Sequence, residues 1–210
     1  MDNAIFSANA PGVTAILQGA TVFIAGTGGL GSNVAMMLTR AGIGRILIAD
    51  FDLVSESNLN RQMYTFAQVG KVKVEALKEN LLQINPFLRI DAFPVELTEW
   101  NFAEFIPDSA DLIFECFDNP AAKAALTRFA LIRRPSIPYI AVSGIGGVAP
   151  LENIRTVQRS PFFYLVGDGE SDVTAGHGTI ATRVIAAAAA QAHCGIRLLL
   201  RNAEGGRDCL

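Results

Sequence analysis

A chain of 210 residues, half of them apolar and 18% charged, is long enough to bury a full α/β core and too apolar for a disordered or fibrous protein. Its 17 basic and 20 acidic side chains leave a net charge of −3 with no block of like charges, which argues against a nucleic-acid or membrane surface. Cys116, Cys194 and Cys209 are widely spaced and form no C-x-x-C pair, so no structural zinc is expected and a cytoplasmic location fits best.

From the N-terminus, Met1 to Thr14 has no basic residue ahead of an apolar run, so neither a signal nor a transit peptide is expected. Thr21 to Ala25 and Arg45 to Ala49 then read as strands. Between them Leu30, Val34, Met37, Leu38 and Ala41 share one helical face that Gly42 ends, giving a βαβ unit. After a polar stretch from Phe51 to Gly70, Val74, Leu77, Leu81 and Ile84 mark a second helix that Asn85-Pro86 stops. A strand over Arg89 to Phe93, a short helix around Glu99 to Phe105 and a strand over Asp111 to Glu115 follow. Asn119-Pro120 supplies an N-cap and a first-turn proline for a helix to about Arg133, and Tyr139 to Ser143 is the fifth strand. Glu152 to Gln158 and Phe162 to Val166 read as extended and antiparallel. The last helix spans about Thr179 to Arg201. Its apolar stretch carries Arg183, Gln191, His193 and Arg197, which favours a packed helix over a membrane span. The expected fold is α/β: a Rossmann-like, doubly wound, mostly parallel sheet with antiparallel strands added near the C-terminus. Residues 1–210 are expected to form one domain, with 1–20 as an N-terminal extension and 202–210 as a flexible tail.

Gly26-Thr27-Gly28-Gly29-Leu30-Gly31 follows the first strand and opens the first helix, the context in which glycines let a helix N-terminus approach phosphate. Asp50 ends the second strand, 19 residues beyond Gly31, about where an acid reaches the ribose of an adenine nucleotide. A Walker phosphate loop is excluded, because Ser32 stands where that motif requires lysine.

The stretch Asp50-Phe51-Asp52-Leu53-Val54-Ser55-Glu56-Ser57-Asn58-Leu59-Asn60-Arg61-Gln62, then Val69-Gly70-Lys71-Val72-Lys73, has no purpose in a dehydrogenase. It resembles the D-x-D-x-V-x-x-S-N-L-x-R-Q and V-G-x-x-K signature of the ThiF/MoeB/HesA family, bacterial relatives of ubiquitin-activating enzymes. Phe117-Asp118-Asn119 is similar to that family's T-D-N, and Ser143-Gly144 to its S-G. The resemblance covers about residues 20–150, and the rest, with Tyr164 to Gly169 and Arg183, looks most like a short second ThiF subfamily. It implies that ATP and the C-terminal glycine carboxylate of a small ubiquitin-like sulfur carrier ending in Gly-Gly give an acyl-adenylate and pyrophosphate, for thiazole synthesis in the thiamine pathway. A terminal carboxyl is already ionised at neutral pH, so no general base is needed, only positive charge, a metal and alignment. By motif, Arg61, Lys73 and Asp118 would be catalytic, with Lys73 at the attacked phosphate and Asp118 on Mg2+. Gly26, Gly28, Gly29, Gly31, Asp50, Asp52, Asn58 and Gln62 would bind the nucleotide, Asp50 through the ribose and Asn58 with Arg61 through the phosphates.

Simpler roles stand beside these. Lys71 reads as a solvated charge, Asn119 as a helix cap, and Asp52 equally as a nucleotide contact or a loop brace. Asp168, Glu170 and Asp172 read as a solvated loop. His177 reads as a loop residue and His193 as a helix-face residue. Cys116 and Cys194 read as packed and Cys209 as exposed. The family's N-terminal R-Y-x-R-Q segment and its zinc cysteines are missing, while a homodimer is still expected from the resemblance. Alternatives are adenylation of a molybdopterin- or cysteine-pathway carrier, or of a tRNA-borne or small-molecule carboxylate, then an NAD-dependent oxidoreductase, then a catalytically silent binding module.

Overall fold

A computed structural model of the chain describes residues 4–171 and 178–203. Seven strands form one sheet: β1 (Thr21–Ala25), β2 (Arg45–Ala49), β3 (Arg89–Phe93), β4 (Leu112–Glu115), β5 (Tyr139–Val142), β6 (Arg155–Ser160) and β7 (Phe163–Gly167). Their order is β3-β2-β1-β4-β5-β7-β6. Every neighbouring pair is parallel except β6 with β7, a hairpin whose second strand lies parallel against β5. The expected antiparallel addition is therefore a single edge strand. β6 is exposed along its whole length, whereas every residue of β4 and β5 is buried.

Period-two alternation divides the core between the two faces of the sheet. Val22, Ile24, Ile46, Ile48, Leu112, Phe114, Ile140 and Val142 point to one face. There they meet α1 (Val13–Gly19), α2 (Gly29–Ala41), α3 (Lys73–Ile84) and α6 (Ala181–Ala203). Phe23, Ala25, Leu47, Ala49, Ile113, Tyr139 and Ala141 point to the other face, against α4 (Phe102–Phe105) and α5 (Pro120–Arg133). Helices on both faces of a parallel sheet are the doubly wound arrangement that near-continuous apolar strands require.

Helix α6 is long and apolar enough to cross a membrane, yet it packs in this fold against α2 and α1, with Val184, Ala187, Ala188 and Ala192 buried. A Cβ at Gly195 would lie 2.5 Å from Cζ of Phe114, so glycine lets α6 rest directly on β4. Gln191 is fully buried, and its Nε2 donates to the carbonyls of Glu115 at 2.9 Å and Ile140 at 3.0 Å. These bonds fasten α6 to the adjoining strands β4 and β5.

Four differences from the sequence expectations have local causes. The segment before β1 contains α1, a helix of 7 residues without a side-chain cap, anchored by the buried Leu17. Helix α6 continues through Asn202 and Ala203, and the remainder of the expected tail, 204–210, lies outside the described residues. Helix α4 is shorter than expected because Thr98 and Asn101 cap one another's backbone ahead of it. The polar stretch between β2 and α3, read without elements of its own, is a folded unit. It holds two 3-10 turns, Glu56–Asn58 and Phe66–Gln68, each closed by a reciprocal capping box.

Candidate active site

Strand order reverses at the junction of β1 and β4, since β2 and β3 lie to one side and β4 and β5 to the other. Beyond the carboxyl ends of parallel strands, such a switch point opens a crevice. The turn after β1 runs along it, with Gly26 at φ 89° and its amide donating to the carbonyl of Ala49 at 2.9 Å. A Cβ on Gly31 would lie 1.8 Å from the Gly26 carbonyl oxygen, and one on Gly26 would lie 3.0 Å from the carbonyl oxygen of Cys116. Only glycine lets α2 start this close to its own turn. Gly28 is the N-cap of α2 and offers no side-chain cap, so the first-turn amides have no partner of that kind.

The segment after β2 closes around this turn. Ser32 donates to the carbonyl of Gly28 at 2.6 Å and accepts from the amide of Met63 at 3.1 Å. Asn33 donates to the carbonyls of Gly29 at 2.6 Å and Arg61 at 2.9 Å. Gly28 and Gly29 therefore lie beside the side chains of Gln62 and Arg61, whose nearest atoms would be 3.8 Å and 3.6 Å from an added Cβ. Gln62 is buried and its Oε1 has no hydrogen-bond partner among the described residues. Arg61 donates through Nη1 to the Ser57 carbonyl at 3.1 Å and to Oδ1 of Asn60 at 2.7 Å.

Asp50 braces the turn from beneath. Its Oδ2 accepts from the amide of Thr27 at 2.7 Å and from the Thr27 hydroxyl at 3.0 Å, and its Oδ1 from the amide of Asp52 at 2.9 Å. Tyr64 donates to the Thr27 carbonyl at 2.8 Å, and burial pushes its phenol well above the usual tyrosine value, so it remains a donor. Lys73, the first residue of α3, is buried and places Nζ 2.6 Å from Oδ2 of the half-exposed Asp52. A short antiparallel pairing of Leu53 with Val72 carries Lys73 back to that position.

Asp118 follows β4 on the opposite wall. It is exposed, with no partner for its carboxylate among the described residues, because Asn119 does the capping: its Oδ1 accepts from the amides of Ala121 at 2.9 Å and Ala122 at 3.0 Å. Gly26, Gly28, Gly29, Gly31, Arg61 and Gln62 thus adjoin one another. Asp50, Asp52 and Lys73 form a connected chain behind them, and Asp118 rides on the turn that abuts Gly26.

Oδ1 of Asn58 accepts from the Ser55 amide at 3.0 Å in a capping box. Asp52 pairs with Lys73, in keeping with the brace that is one of its two expected roles. One expectation is corrected. Asp168 is not a solvated loop residue: its carboxylate is 9% exposed and pairs with the fully buried Arg183, which also donates to the carbonyls of Ala149 at 2.6 Å and Pro150 at 3.0 Å. Burial works to raise the Asp168 carboxyl, but hydrogen bonds from Ser171 and Glu170 and the Arg183 charge outweigh it and hold it below the usual value. Lys71 forms an exposed pair with Glu79 at 2.9 Å, as a solvated charge should. His193 is exposed on α6, Cys116 and Cys194 are buried, and burial pushes the Cys194 thiol up to about 11. Asp172, His177 and Cys209 lie outside the described residues.

Sequence reasoning passed over Tyr64 and the pair Glu115 and Lys123, whose charged atoms are 2.9 Å apart. Burial pushes the Glu115 carboxyl up, against the pull of the Lys123 charge and its hydrogen bonds. The available signal was a glutamate closing an otherwise apolar strand with a lysine in the first turn of the next helix.

The model of the ThiF family matches residues 4–206. The chain belongs to the ThiF family. The protein named adenylyltransferase and sulfurtransferase UBA4 of Eremothecium gossypii is 35% identical over 148 residues, 70% of this chain and 33% of that protein. Ubiquitin-like modifier-activating enzyme 5 of Caenorhabditis elegans is 38% identical over 116 residues, 50% of this chain and 27% of that protein. This ThiF chain therefore spans about a third or less of the length of these curated relatives. The E. coli tRNA N6-threonylcarbamoyladenosine dehydratase TcdA, solved in complex with ATP, superposes with a TM-score of 0.84 at 24% identity. That match covers 93% of this chain and 91% of TcdA and establishes the shared fold.

Proposed function

We propose that this ThiF-family chain uses ATP to adenylate a carboxylate, that of the C-terminal glycine of a small ubiquitin-like carrier ending in Gly-Gly. The observation that carries the proposal is the glycine turn at the sheet switch point, with Arg61 beside it, the linked Asp50, Asp52 and Lys73 behind it, and the turn bearing Asp118, which has no carboxylate partner among the described residues, against Gly26. The carrier carboxylate, already an anion at neutral pH, attacks the α-phosphorus, the bond to the pyrophosphate oxygen breaks, and pyrophosphate leaves. No proton has to be removed, so the task of the site is alignment and neutralisation of negative charge.

In this reading Asp50, held rigidly by Thr27, faces the ribose hydroxyls, and the glycine turn takes the phosphates at the start of α2. Arg61 lies along Gly29 and neutralises phosphate charge, with Asn58 supporting its loop. Gln62 offers its orphaned Oε1 to a ligand donor. Lys73 exchanges part of its pairing with Asp52 for the phosphate under attack. Asp118 suits magnesium, a cation held by one or two carboxylates with the remaining positions filled by water and substrate phosphates. No group of three or more His, Cys, Asp or Glu side chains gathers among the described residues, so Asp118 would share the ion with the phosphates. When bound, magnesium supplies charge neutralisation along the triphosphate.

The finer reading is a ThiS-like sulfur carrier of thiamine thiazole synthesis, served by a cytoplasmic homodimer. The names of the relatives, which concern adenylyl transfer and ubiquitin-like modifiers, support a carrier of that general type. A second reading, a carboxylate borne on tRNA, is favoured by one observation: TcdA corresponds to this chain over nearly its whole length. Exchange of labelled pyrophosphate into ATP separates them. We expect exchange that requires magnesium and a Gly-Gly carrier, and none with a carrier lacking its last glycine. Exchange supported only by tRNA would establish the second reading, and tight NADH binding with no exchange on either would overturn both.

A further inference from the structure

We propose that the ion pair between the buried Glu115 and the partly exposed Lys123 is the positioning device for Asp118, setting where the metal-binding carboxylate stands relative to the phosphate turn; this rests on the adenylation reading above. Asp118 has no side-chain partner among the described residues, and among them the backbone that carries it sets its position. That backbone is fixed at three points. The amide of Cys116 donates to the carbonyl of Ala25 at 2.9 Å, the amide of Phe117 donates to Oε1 of Glu115 at 2.7 Å, and Asn119 caps α5. The Phe117 bond adjoins Asp118 on its N-terminal side, and a charged side chain makes it.

Glu115 is 1% exposed, and its second partner is Lys123. The Lys123 ammonium donates to Oε1 at 3.0 Å, to Oε2 at 2.9 Å and to the carbonyl of Val142 at 3.1 Å. An ammonium has three N–H donors, so all of them are used and none is left for a triphosphate. The pair therefore acts through Asp118 and not on the nucleotide itself. It also ties the turn after β4 to the end of β5, one residue before Ser143-Gly144, which fixes the spacing of two loops on one wall of the crevice.

Stability alone does not account for a carboxylate buried at the end of an apolar strand, since a well-packed apolar residue of similar volume commonly matches or exceeds the contribution of such an ion pair. An apolar residue at 115 would complete β4 but would leave the Phe117 amide without its acceptor. The carboxylate is the feature that accepts from Phe117 and Lys123 together, and it does so without engaging the exposed Asp118. Supporting groups of this kind typically tune the affinity of a metal site about 10-fold to 100-fold.

The test uses the full chain with Mn2+ as a paramagnetic stand-in for magnesium and ATP without carrier. Free Mn2+ is read by electron paramagnetic resonance and metal-free ATP binding by calorimetry. Glu115→Gln and Lys123→Met should weaken Mn2+ binding in the presence of ATP about 10-fold or more, while metal-free ATP affinity stays within about twofold of wild type. Lys123→Arg, which keeps the charge and the donors, should recover most of the loss. Neither substitution should weaken Mn2+ binding further in an Asp118→Asn background, because the pair works through that carboxylate. Hydrogen exchange should show the Phe117 amide less protected in Glu115→Gln, whose neutral amide oxygen is a weaker acceptor than the carboxylate, with the amides of β4 and α5 still protected. Equal loss of metal-free and metal-dependent binding, or effects that add to Asp118→Asn, would overturn the positioning role while wild-type pyrophosphate exchange left the adenylation reading intact. A wild-type chain that neither binds Mn2+ with ATP nor exchanges pyrophosphate would overturn both.

Discussion

Replacing Gly31 with alanine isolates the close approach on which the phosphate turn depends. Gly31 lies in the first turn of α2, is buried, and does not have a positive φ, so backbone conformation alone would favour alanine by about 1 kcal/mol. The added Cβ, however, would stand 1.8 Å from the Gly26 carbonyl oxygen, 2.9 Å from the Gly26 carbonyl carbon and 3.2 Å from Cβ of Cys116. Ordinary carbon to oxygen contacts begin near 3.3 Å, so the turn and the helix must separate by about 1.5 Å. Two of the three obstructing atoms are backbone and cannot rotate away. Overpacking of this kind costs about 1–3 kcal/mol, offsetting the helical gain, and a displacement of about 1 Å at a reaction centre costs about 100-fold in rate. Gly31→Ala should therefore melt at or somewhat below the wild-type temperature and lose about 100-fold or more in pyrophosphate exchange. Gly19→Ala is the matched control, since a Cβ there meets nothing within 4 Å. Wild-type exchange by Gly31→Ala would show that the spacing of this turn does not matter to the reaction.

Lys73→Ala should lower exchange at saturating ATP by about 100-fold or more, as loss of one preorganised charge does, while Lys71→Ala should leave it unchanged; kinetics of the two variants side by side check the assignment. Asp168→Asn removes a carboxylate whose folded pKa lies below its usual value, so the stability it contributes is present above about pH 4 and lost as pH falls through the depressed value. Denaturant titration should show Asp168→Asn weaker by about 3 kcal/mol at pH 7, with the gap narrowing below about pH 4. Cys116 and Cys194 are buried with thiols raised by burial, Cys194 to about 11, so peptide mapping after alkylation at pH 8 should find both labelled only once the chain is unfolded.

Most of the fold was legible because it rests on short-range patterns. Residues 30 to 41 carry one apolar face and end on a glycine, and the strands are apolar runs whose alternate residues serve two helical layers. The candidate site was legible for the same reason, since the glycine turn, the polar segment after β2 and the Asp118-Asn119 step each lie on contiguous residues. What escaped was contact across long separations. Asp168 read as a solvated loop acid and Arg183 as a charge within the packed last helix, because nothing local announces that the chain folds one onto the other. Glu115 and Lys123 are 8 residues apart but belong to different elements, so helical or strand periodicity does not join them. Tyr64 was passed over within the polar stretch, and only the folded turn gives its hydroxyl the Thr27 carbonyl. Helix α1 was missed because 7 residues without a cap hold together only through burial of Leu17.

The most direct test of the central claim is intact and tandem mass spectrometry of a Gly-Gly carrier after incubation with this chain, ATP and magnesium. The account predicts an adenylyl group on the carrier's C-terminal glycine and an unmodified enzyme, since the described cysteines are buried away from solvent. An unmodified carrier in the presence of intact, folded enzyme, or an obligatory covalent adduct between carrier and enzyme in place of the adenylate, would contradict it.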